Sequence, residues 1–298
     1  MKTNRILLLM LALGVIMGGN LFARDIPAVV DVAWLEANLN NPKLIVLDVR
    51  KAEDYKAGHI PGSVNSFYGT WAPNKGALSA ELPDVDDLQD LINSSGISND
   101  SWVVVVESSG LSRFHFATRV AWTLAYAGLD NVAVLAEGYE GWTKAGKAIS
   151  TDAVKKPAGK YAVKARKQYV VSMNEVLKAM SGGVIVDARP YSDYFGLSKP
   201  AFVAQFGHLP SALSFPTNWF FTGEDKFVSK SAIEEAVMEL GLNANQEIIV
   251  YCNSGVFATG VWWVLHEYLG WQKVSNYDGS AQEISKNPSV KFKKYVWR

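Results

Sequence analysis

The residue best suited to covalent chemistry in this sequence is Cys252, the single cysteine among 298 residues. It lies in the stretch EIIVYCNSGVFATGVWWVLHEYLG, between a short apolar run, Ile248–Tyr251, and a longer one, Val256–Leu269. The first reads as a buried strand, and the second as a helix with Gly270 as its stop signal. The loop Cys252-Asn253-Ser254-Gly255 would then set the sulfur at a strand end, facing a helix N-terminus. Backbone N–H groups there have no intrahelical partner, and together with the helix dipole they favour an anion. An ordinary thiol, with a pKa of about 8.5, is only ~3% thiolate at pH 7. The placement predicts a lowered pKa. A drop of about two units needs only ~2.7 kcal/mol and makes the nucleophilic thiolate the majority form. Gly255 would let the backbone curl close to the sulfur. An inert core cysteine is the competing reading of the same position.

The elements that would carry this loop recur twice along the chain. In the first half, Val32–Leu39 reads as a helix, Lys43–Arg50 (KLIVLDVR) as a strand and Glu53–Ala57 as a helical turn. Gly58–Asn65 (GHIPGSVN) reads as a loop. A long polar and aromatic connection, Ser66–Asp84, leads to an amphipathic helix at Val85–Ser94. Strands at Trp102–Val106 and Val132–Leu135 bracket a helix at Phe116–Ala127, and EGYEGW follows at Glu137–Trp142. In the second half VIVDAR (Val184–Arg189) answers LIVLDVR, and GHLPSALS (Gly207–Ser214) answers GHIPGSVN. Asp278-Gly279-Ser280 answers Glu137-Gly138-Tyr139. The offsets are 139 (Asp48 to Asp187), 149 (His59 to His208), 142 (Gly128 to Gly270) and 141 (Gly138 to Gly279), the mark of a duplicated domain. About ten extra residues fall within Tyr191–Phe206. Alternating strands and helices predict an α/β fold, two tandem domains each with a parallel sheet flanked by helices. Ligands in such sheets bind beyond the carboxyl ends of the strands, where Cys252 and Asp187-Ala188-Arg189 both fall.

Lys2 and Arg5 precede twelve apolar or glycine residues, Ile6–Met17, and Ala23 is a candidate cleavage position with Leu21 where a small residue is preferred. Residues 1–23 are therefore expected to be a signal peptide, and the protein to be exported to the periplasm. The run is short for a membrane span. The expected divisions are an N-terminal domain over 26–149, a linker over 150–160 that holds Pro157 and Gly159, and a C-terminal domain over 161–298. In an oxidising compartment a lone cysteine has no internal disulfide partner, which favours a used thiol over an idle one. Lys+Arg and Asp+Glu both number 29, so nothing suggests a nucleic-acid partner or a polybasic membrane anchor.

The paired Asp-x-Arg strand ends, GHIPGSVN and GHLPSALS, the strand–Cys–loop–helix and the glycine turns at 138 and 279 resemble the rhodanese sulfurtransferases in their tandem form. The resemblance covers essentially all of the chain after residue 23. It implies a catalytically silent first domain, and Glu107 stands where the cysteine would be. It implies that Cys252 takes sulfane sulfur from an anionic donor, becomes a persulfide, and passes the sulfur to cyanide, another small thiol or a protein thiol, with no metal or organic cofactor. Asn253, Ser254, Gly255, Val256 and Phe257 match the active-site loop. Arg189 matches the donor-binding arginine, although pairing with Asp187 is the alternative for that side chain. Asp187, Asp48 and His59 are candidates for supporting roles, with loop-holding hydrogen bonds favoured for His59. Trp71, Trp219 and Phe220 could wall a cleft between the domains.

The loop keeps Ser254 of the mercaptopyruvate-type enzymes but carries Phe257 in place of threonine. It lacks the basic residues of the thiosulfate type, so the donor, thiosulfate or 3-mercaptopyruvate, stays open. A phosphatase is set aside, because the position six after Cys252 is Ala258 rather than arginine. A non-catalytic or sulfur-relay module that binds an exported partner remains the alternative function.

Overall fold

The structure, a computed structural model, describes residues 24–108, 113–223 and 226–295. The expected signal peptide lies outside them. Eleven strands form among the described residues: β1 (Val29–Val30), β2 (Leu44–Asp48), β3 (Val64–Asn65), β4 (Trp102–Val106), β5 (Val132–Leu135), β6 (Val184–Asp187), β7 (Leu213–Ser214), β8 (Phe221–Thr222), β9 (Lys226–Phe227), β10 (Ile248–Tyr251) and β11 (Val274–Asn276). Two parallel sheets result, ordered β1-β5-β4-β2-β3 and β11-β10-β6-β7, with β8 and β9 a small antiparallel hairpin. The second sheet repeats the first from β5 through β3. Its counterpart of β1 is a single bridge, Val170 to Asn276.

The central strands are runs of Val, Ile and Leu because both of their faces are covered. Side chains alternate along them. Leu47, Val103 and Val105 point into one cluster, and Val46, Val104 and Val106 into another with Ile26, Leu35 and Trp142. In the second half Val186 and Val250 join the first of these clusters, while Ile185, Tyr251 and Tyr277 form a third. One core therefore runs through both halves. At its centre the helix Phe114–Tyr126 packs on the helix Val256–Trp262, and both are buried almost all round. The pairing is near-symmetric: Thr118 Oγ1 lies 3.3 Å from Thr259 Oγ1, its counterpart 141 residues on. The second helix continues as a π turn over Trp263–Tyr268, not as the uniform helix the sequence predicts. A π turn holds an extra residue, which accounts for the offset of 142 from Gly128 to Gly270.

The connection between the halves has no regular structure from 151 to 166, and it is tied to the first half along its length. Gly159 N–H donates to the Asn93 carbonyl, Lys164 N–H to Ala127 and Arg166 N–H to Tyr126. The second half's own elements begin with the 3-10 turn Lys167–Tyr169. Among the described residues no helix is long and apolar enough to cross a membrane.

Candidate active site

Strand β10 is one of two inner strands of the second sheet and ends at Tyr251, so Cys252 emerges at the carboxyl edge. Gly255 turns the chain into the helix with φ 75°, a left-handed value. A Cβ there would come within 2.6 Å of the Asp278 carbonyl and of its Oδ1, so only glycine fits. The backbone N–H groups of Ala258, Ser254 and Phe257, and the Ser280 side chain, act on the Cys252 sulfur to favour its charged form. The strand–loop–helix expected to cradle an anion is present.

The expected fall in pKa is not. Cys252 is 1% exposed, and burial pushes its thiol up further than the four donors pull it down. Desolvation penalises the thiolate whatever the loop does, and in a site this dry it is the larger effect. The resting residue is a protonated thiol surrounded by donors that favour negative charge on sulfur.

The loop is braced from two sides. Ser280 Oγ accepts the N–H of Cys252 at 3.1 Å and of Gly255 at 3.0 Å, and donates to the Tyr277 carbonyl at 2.7 Å. Ser280 holds a left-handed φ of 50°, a conformation non-glycine residues rarely adopt. Asn253 Nδ2 donates to Asp193 Oδ2 at 2.8 Å, which ties the loop to the short helix Tyr191–Tyr194. The Phe257 ring packs 4.0 Å from His115 of the first half. Val256 is buried at the start of the helix.

Arg189 is engaged by Asp187. Its side chain is fully buried, and its Nε and Nη2 are committed to Asp187, the Gly207 carbonyl at 2.7 Å and the Tyr251 hydroxyl. Its Nη1 is buried and has no hydrogen-bond partner among the described residues. The alternative stated for it, pairing with Asp187, is the observed arrangement, and Arg50 repeats it with Asp48 and the Gly58 carbonyl at 2.8 Å. His59 is buried, with Nδ1 2.9 Å from the Tyr55 carbonyl and its ring stacked on Tyr55 at 3.9 Å. His208 does the same with Tyr194, at 2.7 Å and 3.8 Å. Asp48, Asp187 and both histidines thus hold the loops that follow the strands. Trp71 and Phe220 are core residues, and Trp219 is the half-exposed aromatic, 6.0 Å from Tyr191.

The family assignment rests on the same residues. The rhodanese-like domain family matches residues 31–145 and again 172–287. The chain belongs to the rhodanese family. This tandem rhodanese is 30% identical over 262 residues to a Mycobacterium leprae protein named "Putative thiosulfate sulfurtransferase", an alignment covering 85% of this chain and 93% of the relative. It is 28% identical over 271 residues to the sulfur carrier protein TtuD of Thermus thermophilus, covering 85% and 92%. Among solved structures it superimposes on SseA from Escherichia coli, described as a 3-mercaptopyruvate sulfotransferase, with TM-score 0.74 and 26% identity, covering 86% and 99%.

Sequence reasoning missed four residues of this rhodanese site: Arg119, Asp193, Asp278 and Ser280. Ser280 had a signal. Pairing glycine with glycine sets Gly138 against Gly279, but the backbone pairs Gly138, φ 61°, with Ser280, φ 50°. Tyr139 N–H donates to the Glu107 carbonyl as Ala281 N–H does to that of Cys252. A serine where the twin domain needs a left-handed glycine marks a hydroxyl with a task.

Proposed function

We propose that this protein is a sulfurtransferase in which Cys252 carries the transferred sulfur as a persulfide. Cys252, its thiol proton released to solvent, attacks the transferable sulfur of an anionic donor, the outer sulfur of thiosulfate or the thiol sulfur of 3-mercaptopyruvate. A new S–S bond forms at Cys252, and the donor's bond to that sulfur breaks. The electron pair leaves with sulfite or with the pyruvate enolate, which then takes up a proton. A thiophilic acceptor such as cyanide or a thiol attacks the outer sulfur, and the Cys252 thiolate departs. Two half-reactions through one covalent intermediate predict ping-pong kinetics.

The observation that carries this reading is the place of the only cysteine: it follows β10, the loop turns at left-handed Gly255 into a helix, and the N–H groups of Ser254, Phe257 and Ala258 favour charge on the sulfur. Preorganised donors in a dry site stabilise charge on sulfur more than water would, and they cost no reorganisation when the charge arrives. The test is thiocyanate formation from each donor and cyanide. Wild-type protein produces it and Cys252→Ser does not; activity retained by Cys252→Ser ends the proposal.

We further propose that residues 1–23 are removed on export, on the strength of the basic start, the apolar run and Ala23. N-terminal sequencing of exported material should begin near Arg24; full-length protein found in the cytosol contradicts it. The first domain, near 26–149, acts as a silent partner to the second.

A further inference from the structure

The active loop of the second half is held by a charged residue of the first. Arg119 lies on the helix Phe114–Tyr126, is fully buried, and forms an ion pair with Asp278 across the two halves. Its Nη1 also lies 3.5 Å from the Gly255 carbonyl, at the left-handed residue that turns the loop into its helix. Asp278 is held from a second side as well. Its Oδ2 accepts the Leu82 N–H at 2.8 Å, and Leu82 belongs to the long connection that crosses from the first half. The same connection grips Gln282, which accepts from Ser79 N–H at 3.0 Å and donates to the Ser79 carbonyl at 2.9 Å. Between Asp278 and Gln282 sits Ser280, whose hydroxyl receives Cys252 N–H and Gly255 N–H. The helix position 141 residues after Arg119 is Gly260, so the second half supplies no such cation of its own.

We propose that Arg119 is a positioning residue for sulfur transfer: by fixing Asp278 and the Gly255 carbonyl it keeps the Ser280 turn and the N–H donors closed around the Cys252 sulfur. The first half, silent for lack of a cysteine, thereby completes the site of the second. The charged and titratable groups that face Arg119 are Asp278, Glu81 and Tyr68, so its charge is partly neutralised where it lies. Its effect is on the shape of the cradle, since an error of about 1 Å in a reacting geometry can cost roughly a hundredfold in rate.

This inference rests on the sulfur-transfer reading above, and the test separates the two. The full chain is compared with Arg119→Lys, Arg119→Met and the double variant Arg119→Met/Asp278→Asn, which leaves no unpaired charge buried and so protects folding. Donor kinetics with thiosulfate and cyanide are measured beside the pH profile of Cys252 alkylation by iodoacetamide. Arg119→Met and the double variant should lose about a hundredfold in kcat with little change in donor KM. Their alkylation midpoint should move to higher pH, because loosened donors hold the thiolate less well, and Arg119→Lys should recover part of both. A folded variant with wild-type kcat and an unmoved midpoint overturns the inference, as does a loss confined to KM. If wild-type protein transfers no sulfur the proposed function falls, and the alkylation midpoints alone then decide whether Arg119 shapes the loop.

Discussion

The two halves of this chain share a sheet order from β5 through β3 and differ at the residue that follows β4 or β10. In each, an aspartate at a strand end holds an arginine two residues on, and that arginine reaches a glycine carbonyl, Gly58 or Gly207. In each, a histidine stacks on a tyrosine whose hydroxyl caps a carbonyl, Ser63 or Ala212. Because the half without a cysteine keeps all of this, none of it is specific to sulfur chemistry. What the second half alone has is a short loop, a serine at the left-handed turn and a buried aspartate that anchors the loop. Asp193, which anchors Asn253, corresponds to Asp54, one residue before the stacked tyrosine, and Asp54 is exposed. Glu107 in the first half takes the Ser108 N–H at 2.5 Å and lies 3.8 Å from Arg113. The corner after β4 or β10 therefore offers donors in both halves, but only one half places a sulfur there.

The sharpest way to break this comparison is to move the cysteine. Cys252→Ser should abolish transfer, and adding Glu107→Cys should not restore it. The helix after Glu107 starts seven residues later, at Phe114, against four residues from Cys252 to Val256, so its N–H groups do not close on the same point. Thiocyanate formation by the double variant would show that the scaffold alone suffices.

Next in size is the latch. Arg189→Ala and Arg50→Ala each leave a fully buried aspartate without its cation, at a cost of about 3–5 kcal/mol. Denaturant unfolding should show similar losses for the two, and the folded fraction of each should keep its donor KM. A stable Arg189→Ala with a raised donor KM would return Arg189 to the donor site and end its equivalence with Arg50.

A smaller, pH-dependent effect belongs to Glu107. Burial pushes its carboxyl up from 4.5 to about 7, so the folded state prefers the neutral acid. The stability gained by that preference is complete below about pH 4.5 and is lost as pH rises through about 7. Glu107→Gln removes the titration and should stabilise the protein above pH 7 by as much as ~3 kcal/mol, with little change near pH 4. An equal gain at both pH values would mean that the carboxylate is not strained by burial.

Much of the fold was legible because its signals are local. The runs Trp102–Val106, Val132–Leu135 and Ile248–Tyr251 and the helix Val85–Ser94 begin and end where their apolar patterns do. The two-residue strands β1, β3, β7, β8 and β9 carry too few residues to show a period. Cys252 and its loop stood out because a lone cysteine between a strand and a helix has few bland explanations. The direction of its pKa did not follow, since loop geometry can be read from spacing but desolvation depends on what both halves pack over the sulfur. Arg119 and Asp278 were out of reach for the same reason: 159 residues separate them, and each looks like an ordinary surface charge until the halves meet.

The central claim is that the one cysteine in this duplicated fold carries sulfur. Intact-mass spectrometry of the whole protein after incubation with thiosulfate or 3-mercaptopyruvate tests it most directly. The account predicts a gain of one sulfur atom, located on Cys252 by peptide mapping, absent in Cys252→Ser and removed by cyanide as thiocyanate. An unchanged mass with both donors, from folded protein whose thiol is intact, would contradict it.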